Sequence, residues 1–206
     1  MFSRYDVYTT VQSIYCYTGT SVLRNKMHIR DAALLKEAES ELTVVKQLAL
    51  LEQPIQGRFT KSHLFKIHRF IFEDIYPFAG HIRRESISKG DTMFYPPASI
   101  DSELNKVFLK IKEEKMIEET DRTQQIANLS YVMSALNIIH PFREGNGRTI
   151  REFIRCMALQ YGITLNWGNV DKDAMLAAAV DSVDNDYAFK DILIKCIDNQ
   201  AVDKRS

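Results

Sequence analysis

Apolar residues return at helical spacing through most of this chain. Leu34, Leu35, Ala38, Leu42, Val45, Leu48 and Ala49 fit one face of a helix that Asp31 opens as N-cap and that runs to about Leu51. Thr60 or Ser62 opens a second, with Leu64, Phe65, Ile67, His68, Ile71 and Phe72. A third is predicted from Ser102 to about Lys115 around Leu104, Val107, Phe108 and Ile111. Asp121 starts a fourth, in which Leu129, Val132, Leu136 and Ile139 recur, and Pro141 stops it near His140. A fifth begins around Arg148, runs through Ile150, Phe153, Ile154 and Leu159, and ends near Gly162. Asp171 opens a helix carrying Met175, Leu176, Ala179 and Val180; Asp186 begins a last one with Phe189, Ile192, Leu193 and Cys196. Residues 1–18 show no clean period.

Past residue 18, the longest stretch to escape this pattern is internal. Between Tyr76 and Pro97 the chain is broken by Pro77, Gly80, Gly90 and the Pro96-Pro97 pair. Ile82, Ile87 and Phe94 among polar neighbours suit a short hairpin, although periodicity alone favours a plain surface loop. The whole therefore reads as one mainly α domain over residues 1–206, with residues 200–206 a polar tail. Length and a 45% hydrophobic, 26% charged composition agree with a globular domain. Lys plus Arg and Asp plus Glu number 27 each, so no basic excess invites nucleic acid, and no nucleic-acid binding is expected. Cys16, Cys156 and Cys196 are an odd, widely spaced set, which points to reduced thiols in a cytoplasm. There is no apolar run near the ~18 residues of a membrane span, and the start lacks a signal-peptide core. Export would need a signal elsewhere, as in a domain of a larger effector.

The chemistry concentrates in His140-Pro141-Phe142-Arg143-Glu144-Gly145-Asn146-Gly147-Arg148-Thr149-Ile150-Arg151. His140 sits where a core helix breaks into a loop, placed to serve as a base. Gly145 and Gly147 lack a Cβ, so the backbone can turn tightly and approach an anion. The next helix begins there, and its unpaired N–H groups and dipole favour negative charge. Arg148 and Arg151, three apart, share a face and can pair with phosphate oxygens. Glu144 is a hard oxygen ligand suited to Mg2+ shared with substrate phosphates. Phe142 reads as a core anchor for the loop. By contrast, His63 and His68 are five apart, and a helical zinc pair would want four.

This stretch resembles the signature of the Fic family, His-x-Phe-x-(Asp/Glu)-Gly-Asn-Gly-Arg-x-x-Arg, at every defined position. The likeness continues in Ile75-Tyr76-Pro77-Phe78-Ala79-Gly80 and Ile87-Ser88-Lys89-Gly90-Asp91-Thr92-Met93-Phe94-Tyr95-Pro96-Pro97, which resemble the family's flap, about residues 80–97. Gly19-Thr20-Ser21-Val22-Leu23-Arg24-Asn25-Lys26 resembles the N-terminal segment of its bacterial toxin and translocated-effector group. The resemblance implies a single Fic-type helical domain with a short β-hairpin flap and an active-site loop over 140–148. It implies AMP transfer from ATP to a Ser, Thr or Tyr hydroxyl of a target protein, releasing pyrophosphate. His140 is then the base. Gly145, Asn146, Gly147, Arg148 and Arg151 hold the nucleotide, with donors from the loop backbone and the Asn146 side chain. Glu144 holds Mg2+, and Lys89 and Gly90 are the flap candidates at the nucleotide. Transfer of another nucleotide or a phosphoryl group, or a nucleotide-gated binding module without turnover, are the rival readings.

The resemblance also bears on partners. Targets in the family include small GTPases and bacterial topoisomerases, and nothing in the chain separates these. Many relatives carry an inhibitory Ser/Thr-x-x-x-Glu-Gly/Asn helix whose Glu meets the second motif arginine. The only Glu here followed by Gly or Asn is Glu144, inside the motif itself. A separate small antitoxin-like protein is therefore the expected source of such a carboxylate, if the chain is restrained at all.

Overall fold

The computed structural model describes residues 13–90 and 92–197, so residues 1–12 and the expected polar tail lie outside the described part. Among the described residues there are seven α-helices: α1 Ala32–Glu52, α2 Lys61–Phe72, α3 Pro97–Glu113, α4 Arg122–Ile139, α5 Asn146–Gln160, α6 Lys172–Asp181 and α7 Lys190–Cys196. Two short strands, β1 Ser88–Lys89 and β2 Thr92–Met93, form an antiparallel hairpin in which Ser88 faces Met93 and Lys89 faces Thr92. The mainly α reading with a small hairpin holds.

Helix α4 is the axis of the domain. It packs against α3, α5 and α7, while α5 also leans on α2, and α2 on α1. Leu129, Val132, Leu136 and Ile139 are buried along α4, and Ile150, Phe153 and Ile154 along α5. The two helices are joined by the motif loop, so the loop emerges from the best-packed part of the core. That placement matters for chemistry, because a loop anchored at both ends by buried helices is held to one geometry.

Local signals set several helix starts. Asp31, Asp121 and Asp171 each accept a hydrogen bond from a backbone N–H three residues on, as N-caps do. Other starts differ from the periodicity. Helix α3 begins at Pro97 rather than Ser102, because a proline at the first helical position needs no N–H partner and its φ is already helical. Helix α5 begins at Asn146, two residues earlier than expected, since Gly145 makes the turn itself at φ +80°. Helix α7 begins only at Lys190, after the chain has turned through residues 184–189.

Helix α1 has the expected span but faces the other way. Its buried residues are Leu35, Glu39, Thr43 and Leu50. Leu34, Leu42, Leu48 and Val45 point outward, Val45 at 65% exposure. A helix whose inward face carries a carboxylate and a hydroxyl is placed to serve a polar site. In α2 both histidines are buried: His63 Nε2 lies 2.8 Å from the Ile55 carbonyl, and its ring packs on Phe59 and Phe153. Cys16, Cys156 and Cys196 are buried free thiols.

Candidate active site

A cavity of about 430 Å³ opens where α4, α5 and α6 meet the hairpin. Its polar wall includes His140, Glu144, Gly145, Asn146, Gly147, Arg148 and Arg151, joined by Glu39 from α1, Lys89 from β1 and Lys172 and Asp173 from α6. The apolar side is Met133 of α4, Met175, Leu176 and Ala179 of α6, and Phe189. Every site residue singled out from the sequence lines this cavity except Gly90, which sits at the hairpin turn with φ +56°.

His140 caps α4 in the left-handed region, φ 48° and ψ 61°, its N–H bonded to the Leu136 carbonyl. Few non-glycine residues adopt that conformation, and here several contacts hold it. The imidazole Nδ1 lies 3.0 Å from the Asn137 carbonyl, and the ring stacks on Phe94 at 3.8 Å with planes 15° apart. A carbonyl only accepts, so Nδ1 carries a proton in this contact. Phe94 directly follows β2, so His140 and the hairpin are in contact.

Arg83 secures the same turn from outside. Buried to 1% exposure, it donates from Nε to the His140 carbonyl at 2.8 Å, and from its Nη atoms to the carbonyls of Glu85 and Tyr95. Its own N–H bonds the Pro141 carbonyl at 2.9 Å. One guanidinium thus ties the end of α4 to both shoulders of the hairpin.

The loop is braced from inside by Asn146. Its Oδ1 accepts from the Phe142 N–H at 2.9 Å and its Nδ2 donates to the Phe142 carbonyl at 2.7 Å. The amide thus braces the loop across Phe142 with one of its two Nδ2 hydrogens engaged, and Asn146 also lines the cavity. Gly145 is required by space as well as by φ, since a Cβ there would come within 2.2 Å of the Phe72 ring. Beneath the loop, His68 accepts from the Gly80 N–H at Nδ1 and so donates from Nε2 to the Glu144 carbonyl at 2.9 Å. Its ring stacks on Phe142 at 3.8 Å. Burial lowers its pKa to about 3, which keeps it neutral.

The first turn of α5 faces the cavity without a side-chain cap. Its N–H groups and the positive end of the helix dipole make an anion site. The two motif arginines beside it differ. Arg148 donates from Nη2 to Glu39 at 2.5 Å and to Glu144 at 3.3 Å, and from Nη1 to Thr43 at 3.1 Å. Burial opposes its charge, but the Glu39 and Glu144 carboxylates outweigh that and raise its pKa. The Arg151 side chain, in contrast, makes no hydrogen bond or ion pair with another described residue. Burial and the neighbouring Arg148 cation lower its pKa to about 10, so it stays charged at neutral pH. Among the described residues it has no carboxylate partner in the cavity wall.

Among the described residues no group of three His, Cys, Asp or Glu side chains could hold a metal by themselves. A single carboxylate in the wall of an anion site nonetheless fits Mg2+, which is commonly held by one or two carboxylates plus substrate phosphates. Glu144 meets that description.

With this geometry in view, comparison with known proteins gives a consistent result. The profile of the Fic/DOC family matches residues 58–158. The chain is 31% identical over 160 residues to a probable protein adenylyltransferase Fic of Escherichia coli, covering 78% of this chain and 79% of that one. The chain belongs to the Fic/DOC family. It is also 33% identical over 168 residues to protein adenylyltransferase VbhT of Bartonella schoenbuchensis, covering 82% of this chain but only 35% of that longer protein. Among solved structures, the VirB-translocated effector BepC of Bartonella tribocorum, with bound AMPPNP, superposes with TM-score 0.80 at 24% identity, covering 91% of this chain and 97% of that one. At that identity the likeness establishes the Fic fold.

Several residues of this Fic site have no part in the motif: Glu39, Thr43, Asn137, Phe94, Arg83 and His68. Glu39 and Thr43 left a faint trace, two polar residues four apart on the face that also carries Leu35 and Leu50. Arg83 left none, as its partners are carbonyls that any residue offers.

Proposed function

We propose that this protein transfers AMP from ATP to a hydroxyl side chain of a target protein. The hydroxyl oxygen bonds to the α-phosphorus, the bond from that phosphorus to the bridging oxygen breaks, and pyrophosphate leaves with the bonding pair. His140 Nε2 takes the hydroxyl proton, a contribution typically worth ~10²–10⁴-fold. The observation that carries this reading is that His140, oriented through its Nδ1, shares one cavity with the open α5 N-terminus and Arg151. Donors fixed in advance around developing charge are the most effective stabilisers. The Gly145–Arg148 backbone supplies them, and Arg151 holds the terminal phosphates as the leaving group.

Glu144 would hold Mg2+, which would supply positive charge against the substrate phosphates. Met133, Met175, Leu176 and Ala179 offer an apolar slot for the base. Lys89 reaches the nucleotide from the flap, and Gly90 at the turn lets the hairpin edge pair with the backbone of an extended target segment. A small GTPase is one candidate target. The names of relatives support transfer to protein, and BepC supports the setting of a larger translocated effector. Arg151 also suits a carboxylate supplied by a small antitoxin-like protein; co-expression with neighbouring genes followed by pulldown that brings nothing small would end that idea.

The reading is tested with Mg2+ and ATP labelled at the α- or γ-phosphate, a lysate as target source, and a His140→Ala control. Protein labelling from the α-position alone, lost in the control, is expected. Labelling from the γ-position would make the protein a kinase, and ATP binding without labelling would make it a binding module.

A further inference from the structure

The motif treats its two arginines alike, yet only one of them faces the substrate unencumbered. Arg148 is gripped by α1: Glu39 takes its Nη2, and Thr43 takes its Nη1 while donating its own hydroxyl to the Glu39 carbonyl at 2.8 Å. The second Glu39 oxygen accepts the Tyr76 hydroxyl, and the Arg148 guanidinium lies 4.7 Å over the Phe72 ring. Glu39 is 5% exposed and Tyr76 1%. A buried carboxylate without a partner costs several kcal/mol, so this one is retained with its geometry complete. Glu144 competes for the same Arg148 nitrogen, at 3.3 Å against 2.5 Å for Glu39.

We propose that Glu39 is a positioning residue for the transfer reaction: it anchors Arg148 to α1, so that Arg148 frames the α5 N-terminus and is shared with Glu144 rather than drawn wholly to it. The inference rests on the proposed nucleotide chemistry. Its consequence has a definite sign. Removing a negative charge from the cavity wall cannot weaken, by Coulomb's law, the hold on a polyphosphate. A loss of rate on neutralising Glu39 must then come from misplacement, which costs up to ~10²-fold per ångström of error.

The test uses the full chain with Glu39→Gln, Glu39→Asp and Arg148→Met, and Glu39→Gln combined with Arg148→Met. Thermal unfolding establishes which variants fold. Calorimetry gives ATP affinity, and α-label transfer to a lysate at saturating ATP gives the rate. Expected for Glu39→Gln is ATP affinity equal to or tighter than wild type, with a rate about tenfold lower. Glu39→Asp recovers part of that rate, and in the Arg148→Met background Glu39→Gln adds nothing. A folded Glu39→Gln protein with the wild-type rate would overturn the assignment, as would a slowing that persists without Arg148. Should Glu39→Gln not fold, Thr43→Val removes the other anchor and must show the same split between affinity and rate. Wild-type protein that binds no ATP would overturn the functional reading along with this one, whereas active wild type matched by Glu39→Gln overturns only this one.

Discussion

The motif loop and the flap are neighbours with opposite mechanical character. The loop over 140–148 is tied by Asn146 across Phe142, by His68 beneath Glu144 and by Arg83 behind His140, all among buried groups. The flap has two strands of two residues each, a glycine at its turn, and Met93 68% exposed. Chemistry on a phosphate needs atoms fixed to fractions of an ångström, which requires satisfied buried polar groups. Reading an incoming chain by its backbone needs only an edge of the right shape. On the proposed function, the contrast is a division between a part that must not move and a part that must accept strangers.

Variants can press on that division, beginning with the strongest. His140→Ala is expected to cut α-label transfer by at least ~10²-fold while ATP still binds in calorimetry. Near-wild-type transfer would remove the base from the loop. Asn146→Ala leaves the buried N–H and carbonyl of Phe142 unpaired, so denaturant unfolding should register a loss of roughly 2–4 kcal/mol, with activity lost alongside. If stability were unchanged, the loop would not be braced as described.

Acid should find the loop before the flap. His68 has a folded pKa of about 3 against an ordinary 6.5, so the unfolded chain binds its proton first. Its stabilising contribution is complete above pH 6.5 and is lost as pH falls from there toward 3. The slope attributable to it approaches ~1.4 kcal/mol per pH unit. His63, whose pKa burial also lowers, adds to the same trend. A pH series of unfolding curves in which His68→Gln kept the full slope would contradict this. The mildest change belongs to the flap: Met93→Ala should shift stability by no more than ~0.5 kcal/mol. It should leave ATP affinity intact and alter only transfer to protein.

Much of this was legible in the residues. Asp31, Asp121 and Asp171 announced helices because capping involves only the next three residues. The motif announced its chemistry because base, glycine turn, carboxylate and arginines lie within twelve positions, His140 to Arg151. The start of α3 is hidden from periodicity because Pro97, a breaker inside a helix, is an initiator at its first position.

What the chain alone could not decide is which face of α1 turns inward. Its leucines and valines suggested the face with Leu34, Val45 and Leu48, whereas packing on α2 and α5 buried Glu39 and Thr43 instead. That choice is worth making only because Arg148, 109 positions away, supplies the partner that a buried carboxylate needs. Local rules see three or four neighbours along the chain, and from there Arg148 and Arg151 are equivalent. The sequence by itself determined the helices, the loop and the reactive groups. The tertiary structure decided that Arg148 is tied to α1 while Arg151 is not, because only the assembled helices bring Glu39 to the first and leave the second at the cavity.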